Sequence, residues 1–66
     1  MRNGTTGDCY IICEGHGCAA RYVASRYTFG AAIRYAMYNA EFGGGETFSV
    51  RSMKSWRELF VAFGKR

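Results

Sequence analysis

All three cysteines and the only histidine of this 66-residue chain lie within one short stretch, at Cys9, Cys13, His16 and Cys18. Thiolates and imidazole are the ligands that zinc prefers, so the cluster is a candidate for a structural zinc site that would stabilise the fold. The choice matters because a domain of this size gains only about 3–5 kcal/mol of net stability from a single hydrophobic core. The cluster therefore decides between a metal-held module and a fold that depends on packing alone.

The spacing of the four residues disfavours a shared metal ion. On one strand, Cys9 and Cys13 would share a face but stand about 13 Å apart along it. Cys13, His16 and Cys18 can meet around a turn, but a structural zinc site needs four ligands. We therefore expect no metal and no other cofactor, and reduced cysteines that pack as small apolar residues. A zinc-stapled recognition module and a disulfide across a hairpin remain as alternatives.

Composition indicates a single globular domain over residues 1–66, with residues 1–7 as a loose polar lead-in. Hydrophobic residues make up 48% of the chain and aromatic residues 17%, whereas disordered chains are poor in aromatic residues. The odd number of cysteines favours a reduced, cytoplasmic protein over a secreted disulfide scaffold. No apolar run approaches the roughly 20 residues of a membrane span, so we expect no membrane association.

A β-hairpin is predicted in the first part of the chain. Asp8–Glu14 is a short, apolar, β-prone run, and a turn follows at Gly15, His16 and Gly17, where two glycines permit positive φ. Cys18–Ser25 then reads as the returning strand. In this arrangement Cys9 and Cys13 face inward and His16 is exposed at the turn.

The segment after Thr28 has the clearest pattern, that of an α-helix. The Thr28 hydroxyl can cap the first turn, and the glycines at 43–45 end the helix. The apolar residues at helical spacing form one narrow stripe that would face a sheet: Phe29, Ala32, Ile33, Ala36 and Ala40. A core position for Ile33 would make Ile33→Ala cost about 2–5 kcal/mol. The side chains expected to project away are Arg34, Tyr38 and Glu41, with Tyr35 on the flank.

A second hairpin is predicted after the helix. Glu46–Met53 alternates, with Phe48 and Val50 on one buried side. Residues 55–63 fit both a strand and an amphipathic helix that starts at a Ser55 capping box, and we favour the strand. The fold class is then α+β: a small antiparallel sheet, β-β-α-β-β along the chain, with one helix packed on one face.

An arginine stands next to an aromatic residue at four places in a chain whose formal net charge is +4: Arg21-Tyr22, Arg26-Tyr27, Arg34-Tyr35 and Trp56-Arg57. Such pairs suit phosphates and bases, and they suit protein–protein hot spots equally well. The candidate partner-binding residues are Arg21, Arg26, Arg34, Tyr35, Tyr38, Arg51, Lys54 and Arg57. The five carboxylates are scattered, with no pair placed for acid–base work, so we expect a binding protein and no enzyme.

Four features together support a resemblance. They are the Tyr10-Ile11-Ile12 strand, the Thr28-capped alanine-rich helix, the glycine break, and a C-terminal hairpin ending in Phe60-Val61-Ala62-Phe63-Gly64-Lys65-Arg66. This layout resembles the small phage-encoded anti-CRISPR proteins that inhibit type I effector complexes. The resemblance covers most of residues 9–66 as an order of elements. It implies a non-catalytic inhibitor in the host cytoplasm that docks on a CRISPR-Cas surveillance complex and interferes with binding of target DNA.

Two further possibilities arise from the residues themselves. A small basic module could bind single-stranded RNA or DNA with its outer sheet face, and such binding would weaken steeply as salt rises. The protein is expected as a monomer or as a small homodimer paired through its edge strands.

Overall fold

The structure, a computed structural model, describes residues 9–64, so the predicted lead-in at residues 1–7 lies outside it. Its elements are β1 (Tyr10–Glu14), β2 (Arg21–Arg26), α1 (Phe29–Phe42), β3 (Phe48–Ser52) and β4 (Glu58–Ala62). The predicted α+β class, with one helix against an antiparallel sheet, is confirmed. Within residues 9–64 no helix combines the length and the apolar character that crossing a membrane requires.

The boundaries of the first three strands differ from the predicted ones, and β1 begins at Tyr10, so Cys9 precedes it. The returning strand begins at Arg21 and not at Cys18, because residues 17–19 form a 3-10 turn. β3 is shorter than the predicted Glu46–Met53, although the Thr47 carbonyl still accepts from the Gly15 amide and the Met53 amide donates to the Cys9 carbonyl. The last segment, which fitted a strand or a helix, is the strand β4.

The sheet runs in the order β2-β1-β3-β4, and every neighbouring pair is antiparallel. β1 and β3 are therefore central, although more than thirty residues separate them in the chain. Both edge strands carry a bulge: Val23 is the extra residue of β2, and Leu59 is the extra residue of β4. Bulges at sheet edges interrupt the regular row of backbone groups that would otherwise pair with another chain.

Helix α1 lies over the two central strands. The Thr28 hydroxyl accepts a hydrogen bond from the Ala31 amide at 3.2 Å, and the Gly43 amide closes the other end on the Asn39 carbonyl. The residues that form the core between helix and sheet are Ile12, Ala32, Ala36, Ala40, Phe48 and Val50. Because the helix contributes only alanines here, its backbone can approach the sheet closely.

The predicted apolar stripe of the helix is therefore broader than the observed one. Phe29 is exposed, with its ring 5.2 Å from the Tyr10 ring. Ile33 is half-buried and lies outside the core cluster, so the cost of about 2–5 kcal/mol expected for a core Ile33→Ala does not apply.

A segment of residues 15–20, here called the cover segment, lies across the sheet face opposite the helix. The Ser49 hydroxyl donates to the Gly15 carbonyl at 2.8 Å, and the Arg51 guanidinium donates to the Gly17 carbonyl at 2.8 Å. The Gly17 amide donates to the Glu58 carboxylate at 3.0 Å. Gly15 and Gly17 both have positive φ, which lets the segment fold back over the strands. β3 was predicted to have one buried face, but Ser49 is fully buried on the other.

Candidate functional site

Four of the eight predicted partner-binding residues line one open groove between α1 and the end of β2. The groove has a volume of about 520 Å³, and the residues that line it are Arg26, Ala31, Arg34, Tyr35, Tyr38 and Asn39. The volume lies within the range of about 300–1,000 Å³ that is usual for ligand sites. No carboxylate, thiol or imidazole is among these lining residues, so the groove suits recognition of a ligand more than acid–base chemistry.

The inner wall of the groove is an arginine stacked on a tyrosine. The Arg26 guanidinium lies 4.7 Å from the centre of the Tyr35 ring, within the range of a cation–π contact. Arg26 also donates to the Ser25 carbonyl at 2.6 Å. Tyr35 itself packs against the core, so the stacked pair rests on the folded body of the domain. An exposed guanidinium held in this way loses less conformational freedom when it binds an anion.

The outer wall of the groove is formed by the exposed side of α1. Tyr38 is 65% exposed and its ring lies 5.0 Å from that of Phe42, one helical turn further on. Arg34 precedes Tyr38 by one turn and is also exposed. This geometry agrees with the prediction that Arg34 and Tyr38 project away from the core.

The other four predicted residues lie elsewhere. Arg21, at the start of β2, forms a salt bridge with Glu14 at 3.0 Å. Lys54 and Arg57 are exposed in the turn between β3 and β4, which is separated from β2 by the two central strands. None of these residues is among those that line the groove.

Arg51, the fourth of these predicted residues, is mostly buried and makes contacts within the fold. Its side chain is 16% exposed, donates to the carbonyls of Gly17 and Trp56, and lies 3.6 Å from the Glu58 carboxylate. The Nε of Arg51 is a buried atom that has no hydrogen-bond partner within residues 9–64. Arg51 therefore fastens the cover segment and the β3–β4 turn to the sheet.

The cysteines and the histidine that dominate the sequence are spread apart by the fold. Within residues 9–64 no three His, Cys, Asp or Glu side chains are grouped so that they could hold a metal ion. No disulfide joins the three cysteines. Cys9 was expected to face inward, but only Cys13 is buried, and Cys9 and Cys18 are exposed. The exposed His16 meets the Phe63 ring edge-on at 5.6 Å.

The environment of Cys13 changes its acidity. Burial raises the pKa of the Cys13 thiol, the Arg51 guanidinium lowers it to a smaller extent, and the Glu58 carboxylate raises it further. Such a thiol is less nucleophilic than an exposed one at neutral pH.

Three residues at the groove were not among the predicted ones, namely Ala31, Asn39 and Phe42. Asn39 lines it and donates its side-chain amide to the Tyr35 carbonyl at 2.8 Å, while Phe42 stacks on Tyr38 beside it. Helical spacing indicated Asn39 and Phe42, since each follows a predicted tyrosine by four residues.

No protein family, curated protein or solved structure matches this chain.

Proposed function

We propose that this protein is a non-catalytic binding protein that docks on a larger partner through the groove lined by Arg26, Arg34, Tyr35 and Tyr38. The observation that carries the proposal is the convergence of these four residues on one open, carboxylate-free surface. Arginine and tyrosine are the residue types that most often dominate the energy of protein interfaces. The half of the predicted site that does not converge, including the ion-paired Arg21 and Arg51, is left out of the proposed contact surface.

The partner proposed on the resemblance is a type I CRISPR-Cas surveillance complex in the host cytoplasm. Docking there would interfere with binding of target DNA without any chemical step. The support is the β-β-α-β-β order of elements and the positive charge, which suits a nucleoprotein partner.

The test uses one charge reversal in the groove and one outside it. Arg34→Glu and Arg57→Glu change the net charge equally, and both residues are exposed. Binding of each variant to a purified surveillance complex is measured by biolayer interferometry, together with retention of target DNA by the complex. Loss of binding with Arg34→Glu alone supports the proposal. Equal losses would show that net charge, and not the groove, drives docking, and absence of binding by the unaltered protein would reject this partner.

A further inference from the structure

The residues of the groove restrict the chemistry of its ligand more narrowly than a general docking surface would. Each wall combines a cation with an aromatic ring: Arg26 with Tyr35 on the sheet side, and Arg34 with Tyr38 on the helix side. The ligand that we infer for the groove depends on the proposed function in one respect: the groove must be a binding surface.

The cations of the groove are available to an anionic ligand. Within residues 9–64 the salt bridges are Arg21 with Glu14 and Arg51 with Glu58, so neither Arg26 nor Arg34 is neutralised by a carboxylate there. A planar guanidinium presents several N–H donors at its edge and binds phosphate oxygens in pairs. Two such groups facing one groove fit a ligand that carries successive phosphates.

The aromatic rings of the groove require a ligand with flat apolar faces. The Tyr38 ring is more than half exposed to solvent and tilts against Phe42, which is 69% exposed. A run of carboxylates would satisfy the two arginines but offers the rings no flat apolar face. Nucleic-acid bases offer one, since each has a π-face that stacks on an aromatic side chain.

The exposed rings of the groove favour a single strand of nucleic acid over a duplex. Bases of a single strand are free to leave the backbone and stack on protein rings, whereas the bases of a duplex are stacked on each other. The alternative location for such binding, the outer sheet face, is occupied by the cover segment, which buries Cys13 and Ser49 there.

We infer that the groove between α1 and β2 binds a short segment of single-stranded nucleic acid, with phosphates on Arg26 and Arg34 and a base stacked on Tyr38. In the proposed function this segment belongs to the nucleoprotein partner. The contact is sequence-tolerant, because stacking and phosphate binding do not read base edges.

The experiment measures fluorescence anisotropy of a fluorescein-labelled oligouridylate of about ten nucleotides, within the site sizes of roughly 4–16 nucleotides of single-strand binders. Two phosphate contacts at about −0.7 each predict a slope of roughly −1.4 for log K against log salt. Arg34→Ala is expected to reduce the magnitude of this slope by about 0.7. Arg57→Ala, an exposed arginine outside the groove, leaves the slope unchanged.

The stacking half of the inference has its own variants. Tyr38→Ala is expected to weaken binding roughly 10-fold, the effect of losing one stacked base, whereas Tyr38→Phe keeps the ring and the affinity. Tyr22→Ala is the matched control, because Tyr22 is 59% exposed but pairs with Cys13 and so lies on the other sheet face. Circular dichroism of each variant verifies that the fold is retained.

Polyglutamate of similar length is the competing ligand. If it displaces the oligonucleotide at equal concentration and Tyr38→Ala has no effect, the groove is a site for acidic protein and the inference is overturned. Absence of oligonucleotide binding at low salt also overturns it. Neither result decides the proposed function, which depends on whether Arg34→Glu abolishes docking on the whole complex.

Discussion

Ile12→Val, compared with the same change at Ile33, tests which side of α1 packs on the sheet. Ile12 is 0% exposed at the centre of β1 and packs in the core with the alanines of α1. Removing one methylene costs about 0.8 kcal/mol in lost burial, and the cavity left behind brings the expected range to roughly 0.5–1.5 kcal/mol. The short alanine side chains have no freedom to swing into the space, so a value in the upper half of this range is expected.

The matched control is Ile33→Val, the same change on a half-buried residue outside the core cluster. We expect it to cost less than about 0.5 kcal/mol, the usual scale of changes away from a core. Urea denaturation followed by far-UV circular dichroism measures both free energies of unfolding, since a domain of this size is expected to unfold in two states. In thermal melts each 1 kcal/mol corresponds to a shift of roughly 4–8 °C.

Equal losses for the two variants, or a larger loss for Ile33→Val, would refute the packing of the alanine stripe on the sheet. Either result would mean that the Ile33 side of the helix faces the sheet instead. Ile12→Ala is the more severe version, with an expected cost of about 2–5 kcal/mol against a total stability of only about 3–5 kcal/mol. That variant is therefore expected to be largely unfolded at room temperature.

Three further changes probe single features. Thr28→Ala removes the helix cap and should cost about 1 kcal/mol in urea denaturation, whereas an unchanged midpoint would mean that the cap is dispensable. Trp56 has a φ of 63°, so Trp56→Gly should be more stable than Trp56→Ala by roughly 1 kcal/mol in thermal melts, and the reverse order would contradict that backbone conformation. In native protein DTNB should modify Cys9 and Cys18 rapidly and Cys13 slowly, because burial both covers the Cys13 thiol and raises its pKa. Three equal rates without urea would show that the cover segment does not protect Cys13.

Local chemistry was sufficient to predict the helix and the presence of β1, β2 and β3, whereas the pattern of residues 55–63 fitted a helix as well as the strand β4. The cap at Thr28 and the stop at Gly43 depend on the nearest few residues, so the sequence predicted both ends of α1 correctly. Strand alternation likewise placed Phe48 and Val50 on the buried side of β3. Helical spacing alone was enough to put Arg34 and Tyr38 on the exposed side of the helix.

The alternation of apolar and polar residues did not predict the buried side of a strand whose two faces are both covered. In β1, Ile12 faces the helix while Ile11 and Cys13 are buried on the other face, so no periodicity distinguishes inside from outside. Cys9, which was expected to be buried with Cys13, precedes β1 and is exposed. Arg51 was taken for an exposed binding residue because its role depends on a cover segment that lies more than thirty residues earlier in the chain.

The sequence by itself determined the α+β class, the limits of the helix and the exposed arginine and tyrosine on it. Only the tertiary structure decided that β1 pairs with β3, that the cysteine and histidine cluster is spread apart, and that Arg26 stacks on Tyr35 to complete the groove. The physical reason is the distance along the chain over which each feature is determined. Caps and periodicity depend on residues within one or two turns, whereas strand order and the meeting of a strand residue with a helix depend on how the whole chain buries its apolar surface.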